Sequence, residues 1–265
     1  MELQNNLEGF DEAGVALIAI SYDSVDVLST FAEEHGITFP LLADVGSGVI
    51  CEFGILNTLI KPEEKEYYGI PFPGSYLVDN DGKVAARFFN REYQVRETAS
   101  TVLRSGFHLP GDSSLMVHDG VEGQGVAVLA ELTANKLRNR QHADIYVTLD
   151  LDEGLHVYGQ PIPDGYVAIG VKVTATEGLL VGEPQFPPST PLTIEGLTEE
   201  FYAFEGKVEI VVPVISTLRG TGEVSVDLEV SFQACTDQMC YIPRTEKLHL
   251  DFTTAPEPRV RKSQG

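Results

Sequence analysis

The sequence predicts two domains of different classes, an α/β domain followed by an antiparallel β-sandwich. In roughly the first 105 residues, short apolar strands alternate with helical patterns, which is typical of α/β proteins. From Val126 onward, short runs of alternating apolar and polar residues are separated by Pro- and Gly-rich turns, which is typical of a sandwich. The chain has 265 residues, of which 43% are hydrophobic, so it is long enough for two cores.

The predicted elements of the first half follow the order α-β-α-β-α-β-β-α. Val15–Ile20 is a continuous apolar run, as in a buried parallel strand. Ser24 is placed to cap a helix over Val25–His35, and Gly36 occupies the position of a C-terminal cap. The other predicted elements are the end of a helix over 2–13, a strand over 39–43, a short helix over 48–54, strands over 75–79 and 83–89 around a turn at 80–82, and a helix over 93–104.

The second half is predicted to consist of short strands. They cover residues 126–132, 143–151, 167–176, 208–215, 224–232 and 247–252. Residues 108–125 are rich in Gly, Ser and Asp, and predict either a linker or a winding entry into the second domain. The domains are therefore expected at 1–107 and 126–254, and the Pro- and charge-rich residues 255–265 are expected to form a disordered tail.

The charge of the chain limits its partners. Its net charge of −22 argues against nucleic acid and anionic membranes, because both require clustered Lys and Arg. We interpret the charge as a soluble acidic surface; an acidic face that docks a basic partner is the alternative. No stretch approaches the length of a transmembrane helix, so no membrane insertion is expected. The N-terminus shows no signal-peptide pattern.

Three cysteines carry the visible covalent chemistry. Cys235 and Cys240 are separated by four residues and lie between two strand-like runs, where they can form a small disulfide loop. A redox pair, a structural hairpin disulfide and a metal site are the alternatives, and the lack of clustered His disfavours the metal. Cys51 is expected to be a buried, inert thiol, with a reactive role as the alternative.

Other catalytic chemistry has little support in the sequence. There is no phosphate-binding loop and no Gly-x-Ser-x-Gly element, and no cofactor is expected. His156 is a lone histidine on a strand-like run, where a structural role is commoner than a catalytic one. Acidic pairs such as Glu199 and Glu200 are interpreted as solvated surface.

Three segments of the first half resemble the AhpC/TSA (peroxiredoxin-like redoxin) family. They are Ile18–Ser24, Phe31–Asp44 and Tyr68–Gly82, which occur in the family's order. The resemblance covers about residues 1–105 and implies a thioredoxin-like fold. It further implies that Pro73 is the cis-proline that faces the reactive cysteine in that family.

The resemblance implies a reactive cysteine that the given sequence does not contain. In the family it lies at the start of the helix that begins here with Glu2, where the helix dipole stabilises a thiolate. The expected explanations are a fragment, a start assigned too late or a domain that has lost its catalysis. A selenocysteine codon misinterpreted as a stop would produce such a late start.

The second half resembles the N-terminal domain of the thiol:disulfide interchange protein DsbD. The specific segment is Val230–Pro243, which contains Gln-Ala-Cys-x4-Cys-x-x-Pro. The resemblance implies an immunoglobulin-like sandwich in which Cys235 and Cys240 exchange electrons with a thiol/disulfide partner protein. It also implies that Phe201 or Tyr202 shields the disulfide, with Tyr241 as a further supporting residue.

We therefore expect a thiol–disulfide oxidoreductase that acts through the cysteine pair. Exchange requires a thiolate to attack a disulfide sulfur along an open path. The alternatives are a non-catalytic binding module with a structural disulfide, and a fragment of a thiol or selenol peroxidase whose catalytic residue lies upstream. The compartment stays open between cytoplasm and periplasm, and so does the oligomeric state.

Overall fold

The computed structural model describes residues 2–64, 67–89, 95–107, 116–194 and 199–256. The chain divides into two compact units, Met1–Ser113 and Ser114–Gly265. Within the described ranges, no helix is long and apolar enough to cross a membrane.

Unit 1 contains short helices and strands in nearly the predicted order. The helices are α1 (Glu2–Asn5), α2 (Leu7–Glu12), α3 (Val25–His35), α4 (Gly48–Glu52) and α5 (Ala99–Phe107), and the strands are β1 (Ala19–Ser21), β2 (Leu41–Ala43), β3 (Ser75–Val78), β4 (Val84–Phe88) and β5 (Arg96–Glu97). Strands β1 and β2 pair in parallel, and β3 pairs antiparallel with β4. The predicted strand over 15–20 is therefore wrong in its position, because only its last two residues belong to β1.

The capping residues explain the exact limits of α3. The Ser24 hydroxyl accepts a hydrogen bond from the Val27 N–H at 3.4 Å, as an N-cap does. Gly36 has a φ of 61°, a left-handed conformation that glycine adopts without steric cost. The Ile37 N–H then donates to the Ala32 carbonyl at 2.9 Å and closes the last turn. The predicted helix over residues 25–35 is confirmed.

Helix α5 begins later than predicted because Thr98 caps it. The Thr98 hydroxyl accepts a hydrogen bond from the Thr101 N–H at 3.1 Å. Residues 93 and 94 of the predicted helix lie outside the described residues. Leu103 on α5 packs against Phe10 on α2, and with Ala99 they form the small buried core of this unit.

The predicted cis peptide bond before Pro73 is wrong. Among the described residues, the cis bond precedes Pro161 and the Phe72–Pro73 bond is trans. The trans form of an X–Pro bond is favoured by about 0.5–1 kcal/mol unless surrounding contacts select the cis form. The Phe72 N–H donates to the Ile55 carbonyl at 2.6 Å, and this contact is made with the trans bond.

The described residues of unit 2 form strands in three sheets. The strands are β6 (Val117–Gly123), β7 (Val126–Leu132), β8 (Lys136–Arg138), β9 (Gln141–Leu151), β10 (His156–Tyr158), β11 (Gly170–Ala175), β12 (Leu179–Val181), β13 (Thr190–Leu192), β14 (Phe201–Glu205), β15 (Lys207–Ser216), β16 (Glu223–Phe232), β17 (Ala234–Cys235) and β18 (Arg244–Ala255). The sheet orders are β12-β15-β9-β7-β6, β11-β16-β18-β8 and β13-β14-β10-β17. The pairings are antiparallel except that of β18 with β8.

Alternating side chains of these strands build one large core. Along β16, buried Val224, Val226, Leu228 and Val230 alternate with exposed or half-buried polar residues. Strands β7 and β15 show the same period of two, so each sheet turns one apolar face inward. The inward faces contribute to a single buried cluster, which makes unit 2 a β-sandwich.

The structure corrects the predicted linker and extends the last strand. Residues 117–123 form β6, which pairs along its whole length with β7, because its backbone groups find partners on that strand's free edge. Strand β18 continues to Ala255, where it pairs with β8. The predicted disordered tail from residue 257 onward lies outside the described residues.

Candidate redox site

The short sheet β13-β14-β10-β17 positions the disulfide. Val157 on β10 lies opposite Ala234 on β17, and both side chains belong to the large sandwich core. Because successive side chains of a strand point to opposite faces, their neighbours His156 and Cys235 lie on the other face. His156 and Cys235 are themselves directly paired in the register. Burial of the core face therefore fixes the orientation of the disulfide face.

The disulfide joins Cys235 to Cys240 across a tight loop. The Thr236 N–H donates to the Met239 carbonyl at 2.8 Å. The Thr236 hydroxyl accepts from the Met239 N–H at 3.2 Å. The Tyr241 N–H then donates to the Ala234 carbonyl at 2.9 Å. The small disulfide loop that the sequence predicted is thus closed by backbone contacts on both sides of the pair.

The two sulfur-bearing residues differ in exposure. Cys235 is completely buried, whereas Cys240 is only partly buried. Cys240 also lines a cavity of about 550 Å³, which Tyr158, Tyr166 and Met239 line as well. Cys235 does not line this cavity, so a molecule inside it contacts Cys240 and not Cys235.

Three aromatic rings surround the disulfide. Phe201 and Tyr158 are buried with Cys235 in one cluster, and Tyr166 packs against it. The ring centroid of Tyr158 lies 5.4 Å from that of Phe201 and 5.5 Å from that of Tyr166. The rings of Tyr166 and Phe201 meet edge to face at 5.0 Å, a favourable arrangement for aromatic pairs.

Tyr158 makes a polar contact with the sulfur of Cys240. Its hydroxyl oxygen lies 3.5 Å from the Sγ of Cys240. The hydroxyl is the donor in this contact, since a disulfide sulfur carries no hydrogen. Burial, and to a smaller degree the neighbouring Tyr166, raises the pKa of Tyr158. The hydroxyl therefore stays protonated near neutral pH.

The structure separates the predicted site residues into two groups. Cys235, Cys240 and Phe201 come together around the disulfide. Tyr202 follows Phe201 on β14 and lies on the opposite face; its carbonyl accepts from the Gly159 N–H at 2.8 Å. Tyr241 packs against the large sandwich core, and its carbonyl accepts from the Gln233 side-chain amide at 3.1 Å.

The remaining predicted residues belong to unit 1. Pro73 lies there, half-buried, in the segment before β3. Cys51 on α4 is exposed, so the expectation of a buried thiol is wrong. Its helix turns Ile50 inward instead, and a five-residue helix cannot bury every apolar side chain.

Two aromatic residues of the site were not predicted. Tyr158 had no signal of its own in the sequence, because all three residues of β10 are buried and show no alternation. Tyr166 follows a Gly-rich turn and reaches the disulfide through the fold of the loop after β10. Among the described residues, no group of three or more His, Cys, Asp or Glu side chains could hold a metal ion.

Two histidines of unit 2 have opposite electrostatic environments. Burial lowers the pKa of His156, although the carboxylates of Asp237 and Glu205 act in the opposite direction. Hydrogen bonds to Asp227 and Asp251 raise the pKa of His249 instead. The His249 Nδ1 lies 2.6 Å from the Asp227 carboxylate and its Nε2 lies 3.0 Å from that of Asp251.

Buried Cys235 and partly buried Cys240 form a disulfide at the wall of an open cavity, and both units of the chain match known protein families. Residues 126–251 match the family model described as thiol:disulfide interchange protein DsbD, N-terminal. Residues 1–87 match the model of the AhpC/TSA family. Both resemblances seen in the sequence are thereby confirmed.

Individual relatives cover parts of the chain. A putative peroxiredoxin of Mycobacterium tuberculosis is 33% identical over 93 residues, which are 34% of this chain and 55% of the relative. Peroxiredoxin Bcp of Escherichia coli is 35% identical over 86 residues, 31% of this chain and 51% of the relative. The chain thus spans about half the length of these curated relatives. The solved N-terminal domain of DsbD from Neisseria meningitidis, in its reduced form, is similar with a TM-score of 0.29 and 13% identity, covering 56% of this chain and 95% of that one.

The histidine environments predict two separate titrations. We expect the pKa of His156 to lie below that of an ordinary histidine and the pKa of His249 to lie above it, measured from the ring-proton shifts in NMR spectra. Asp227→Asn should lower the pKa of His249 and leave that of His156 unchanged. An Asp227→Asn protein in which the His249 titration does not move would contradict the assigned cause.

The same shifts determine how the two side chains affect stability. The folded state disfavours protonation of His156, so its contribution to stability falls as the pH decreases from about 6.5 towards its folded-state pKa. The contribution of His249 is present below about pH 6.5 and is lost as the pH rises through its folded-state pKa.

The position of Phe201 predicts that its ring limits access to the disulfide. Phe201→Ala should increase the rate at which dithiothreitol reduces the pair, because it opens the cluster around the buried sulfur. Tyr202→Ala is the matched control, since it removes a ring from the opposite face of β14. Circular dichroism verifies that both variants fold, and Phe201→Leu should give an intermediate rate. Equal reduction rates in Phe201→Ala and wild type would refute the shielding role.

Proposed function

We propose that this protein is a thiol–disulfide oxidoreductase that exchanges electrons with a thiol/disulfide partner protein through Cys235 and Cys240. The observation that carries the proposal is the difference between the two sulfurs. Cys240 lines an open cavity and is contacted by a phenolic hydroxyl, whereas Cys235 is completely buried. A disulfide with one reachable sulfur and one protected sulfur directs an incoming thiolate to a single position.

The exchange proceeds in two balanced steps. A partner thiolate attacks Sγ of Cys240, so that a new intermolecular S–S bond forms, the Cys235–Cys240 bond breaks and the electron pair leaves on Cys235. The partner's second thiolate then attacks its own sulfur in the mixed disulfide, and Cys240 leaves as a thiolate. The partner loses two electrons, and the cysteine pair gains them with two protons.

The surroundings of the pair support exchange over a purely structural disulfide. A structural bridge requires no open path, yet Met239 beside Cys240 is 57% exposed and Ile242 is 87% exposed. Exposed apolar side chains next to a reactive sulfur suit the transient contact of a partner protein. The immunoglobulin-like arrangement implied by the DsbD resemblance belongs to the same proposal.

Unit 1 supplies the second part of the proposal. Its similarity to peroxiredoxins supports a redox role for the whole protein. The full-length protein would then combine a peroxiredoxin-type unit with a thiol-exchange unit, and thiol peroxidase activity is the alternative function of the first unit.

The asymmetry of the sulfurs predicts the site of attack. A thioredoxin whose resolving cysteine is replaced by serine serves as the probe, because it retains the mixed disulfide that it forms. In the Cys51→Ser background, peptide mass spectrometry should find the probe linked to Cys240. A link to Cys235, or failure to form any mixed disulfide, would contradict the proposal.

A further inference from the structure

His156 is a buried histidine that has no part in the two exchange steps of the proposed function. Only 5% of its surface is exposed, and its buried Nε2 has no hydrogen-bond partner among the residues that the structure describes. A buried polar atom without a partner costs free energy, and such an atom in a native protein calls for an explanation. The partner is expected to be a group that changes its charge during the reaction.

The register of the sheet places His156 beside Cys235. His156 on β10 is paired directly with Cys235 on β17, and both side chains lie on the disulfide face. Directly opposed residues of an antiparallel pair have their Cβ atoms about 4.5–5.5 Å apart. An imidazole at that separation can reach the neighbouring sulfur. His156 also lines the cavity that Cys240 lines, so it connects the point of attack with the buried cysteine.

The sulfur of Cys235 needs a proton when the disulfide opens. Attack at Cys240 leaves the electron pair on Cys235, which is completely buried. A thiolate in apolar surroundings is destabilised, and burial raises the pKa of a cysteine. Opening of the disulfide is therefore slow unless a nearby group stabilises or protonates the leaving sulfur.

Among the titratable groups near Cys235, His156 is the one suited to acid–base chemistry. Tyr158 donates to Cys240, and its raised pKa keeps it protonated near neutral pH. Glu205 is paired with His156 from the other neighbouring strand, β14, and Asp237 in the disulfide loop acts on its charge from the side of β17. Both carboxylates favour the imidazolium form, while burial opposes it. Histidine is the side chain that changes its charge readily near neutral pH.

We propose that His156 is the acid–base catalyst for the buried cysteine Cys235, a role that rests on the proposed exchange function. In the first step, the imidazole takes the proton that the incoming thiol releases. The thiolate attacks Cys240, the Cys235–Cys240 bond breaks, and the imidazolium donates the proton to the leaving Cys235. One proton and one electron pair thus reach Cys235, and His156 returns to its neutral form. In the reverse direction, His156 removes the proton from Cys235.

This role produces a distinct pH profile. The reactive combination is a probe thiolate with a protonated His156, so the reduction rate divided by the thiolate fraction of the probe should fall as the pH rises through the pKa of His156. Replacement of a residue with only a structural role would change the rate by the same factor at every pH.

The experiment measures reduction of the full-length Cys51→Ser protein by dithiothreitol between pH 5.5 and 8.5. In wild type, the rate per thiolate should decrease with pH, with its midpoint at the His156 pKa found by NMR. In His156→Gln, it should be independent of pH and lower at acidic pH by about tenfold or more. His249→Gln is the control, because it removes an exposed histidine of β18 and should keep the wild-type profile.

A second measurement keeps the test valid if glutamine disturbs the fold. His156→Phe retains a ring in the cluster without an acid–base group, and it should show the same flat profile.

The outcomes separate this inference from the function on which it rests. A wild-type disulfide that dithiothreitol does not reduce would refute the exchange function itself. A reducible disulfide whose pH profile is the same in wild type, His156→Gln and His156→Phe would overturn the role of His156 and leave the exchange function intact.

Discussion

The pairing of β10 with β17 is the interaction on which the site depends. Val157 and Ala234 from these strands enter the sandwich core, and their burial leaves one register for the pair. A shift by one residue would turn His156 and Cys235 into the core and expose two apolar side chains. The free energy of core formation thus holds the disulfide face in place. The residues of the site are therefore held in place by burial in the sandwich core and not by contacts within the site.

The disulfide face combines a protected sulfur with a reachable one. Phe201 and Tyr158 cover Cys235, while Cys240 lies at the wall of the cavity. Each sulfur has its own neighbouring polar group, since Tyr158 contacts Cys240 and His156 is paired with Cys235. This division fits a reaction in which the two sulfurs have different roles, one as the point of attack and one as the leaving group.

The sequence predicted the elements whose signals are local. The alternating residues of β7 gave its exact limits, and the caps at Ser24 and Gly36 gave those of α3. Strand β10 has three buried residues and no alternation, so its existence depends on pairing with distant strands. The cysteine pair could be predicted from spacing and resemblance, but its contacts with Tyr158 and Tyr166 could not. They arise from the register of β10 and the loop of Tyr166, which are long-range features.

The reduction potential of the Cys235–Cys240 pair tests the central claim most directly. It is obtained by equilibrating the Cys51→Ser protein in redox buffers of defined potential and quantifying the free thiols. Structural disulfides of secreted proteins have potentials below about −300 mV, whereas exchanging pairs lie well above that value. We expect a value in the exchanging range. A potential below about −300 mV would identify the pair as a structural bridge and contradict the proposed function.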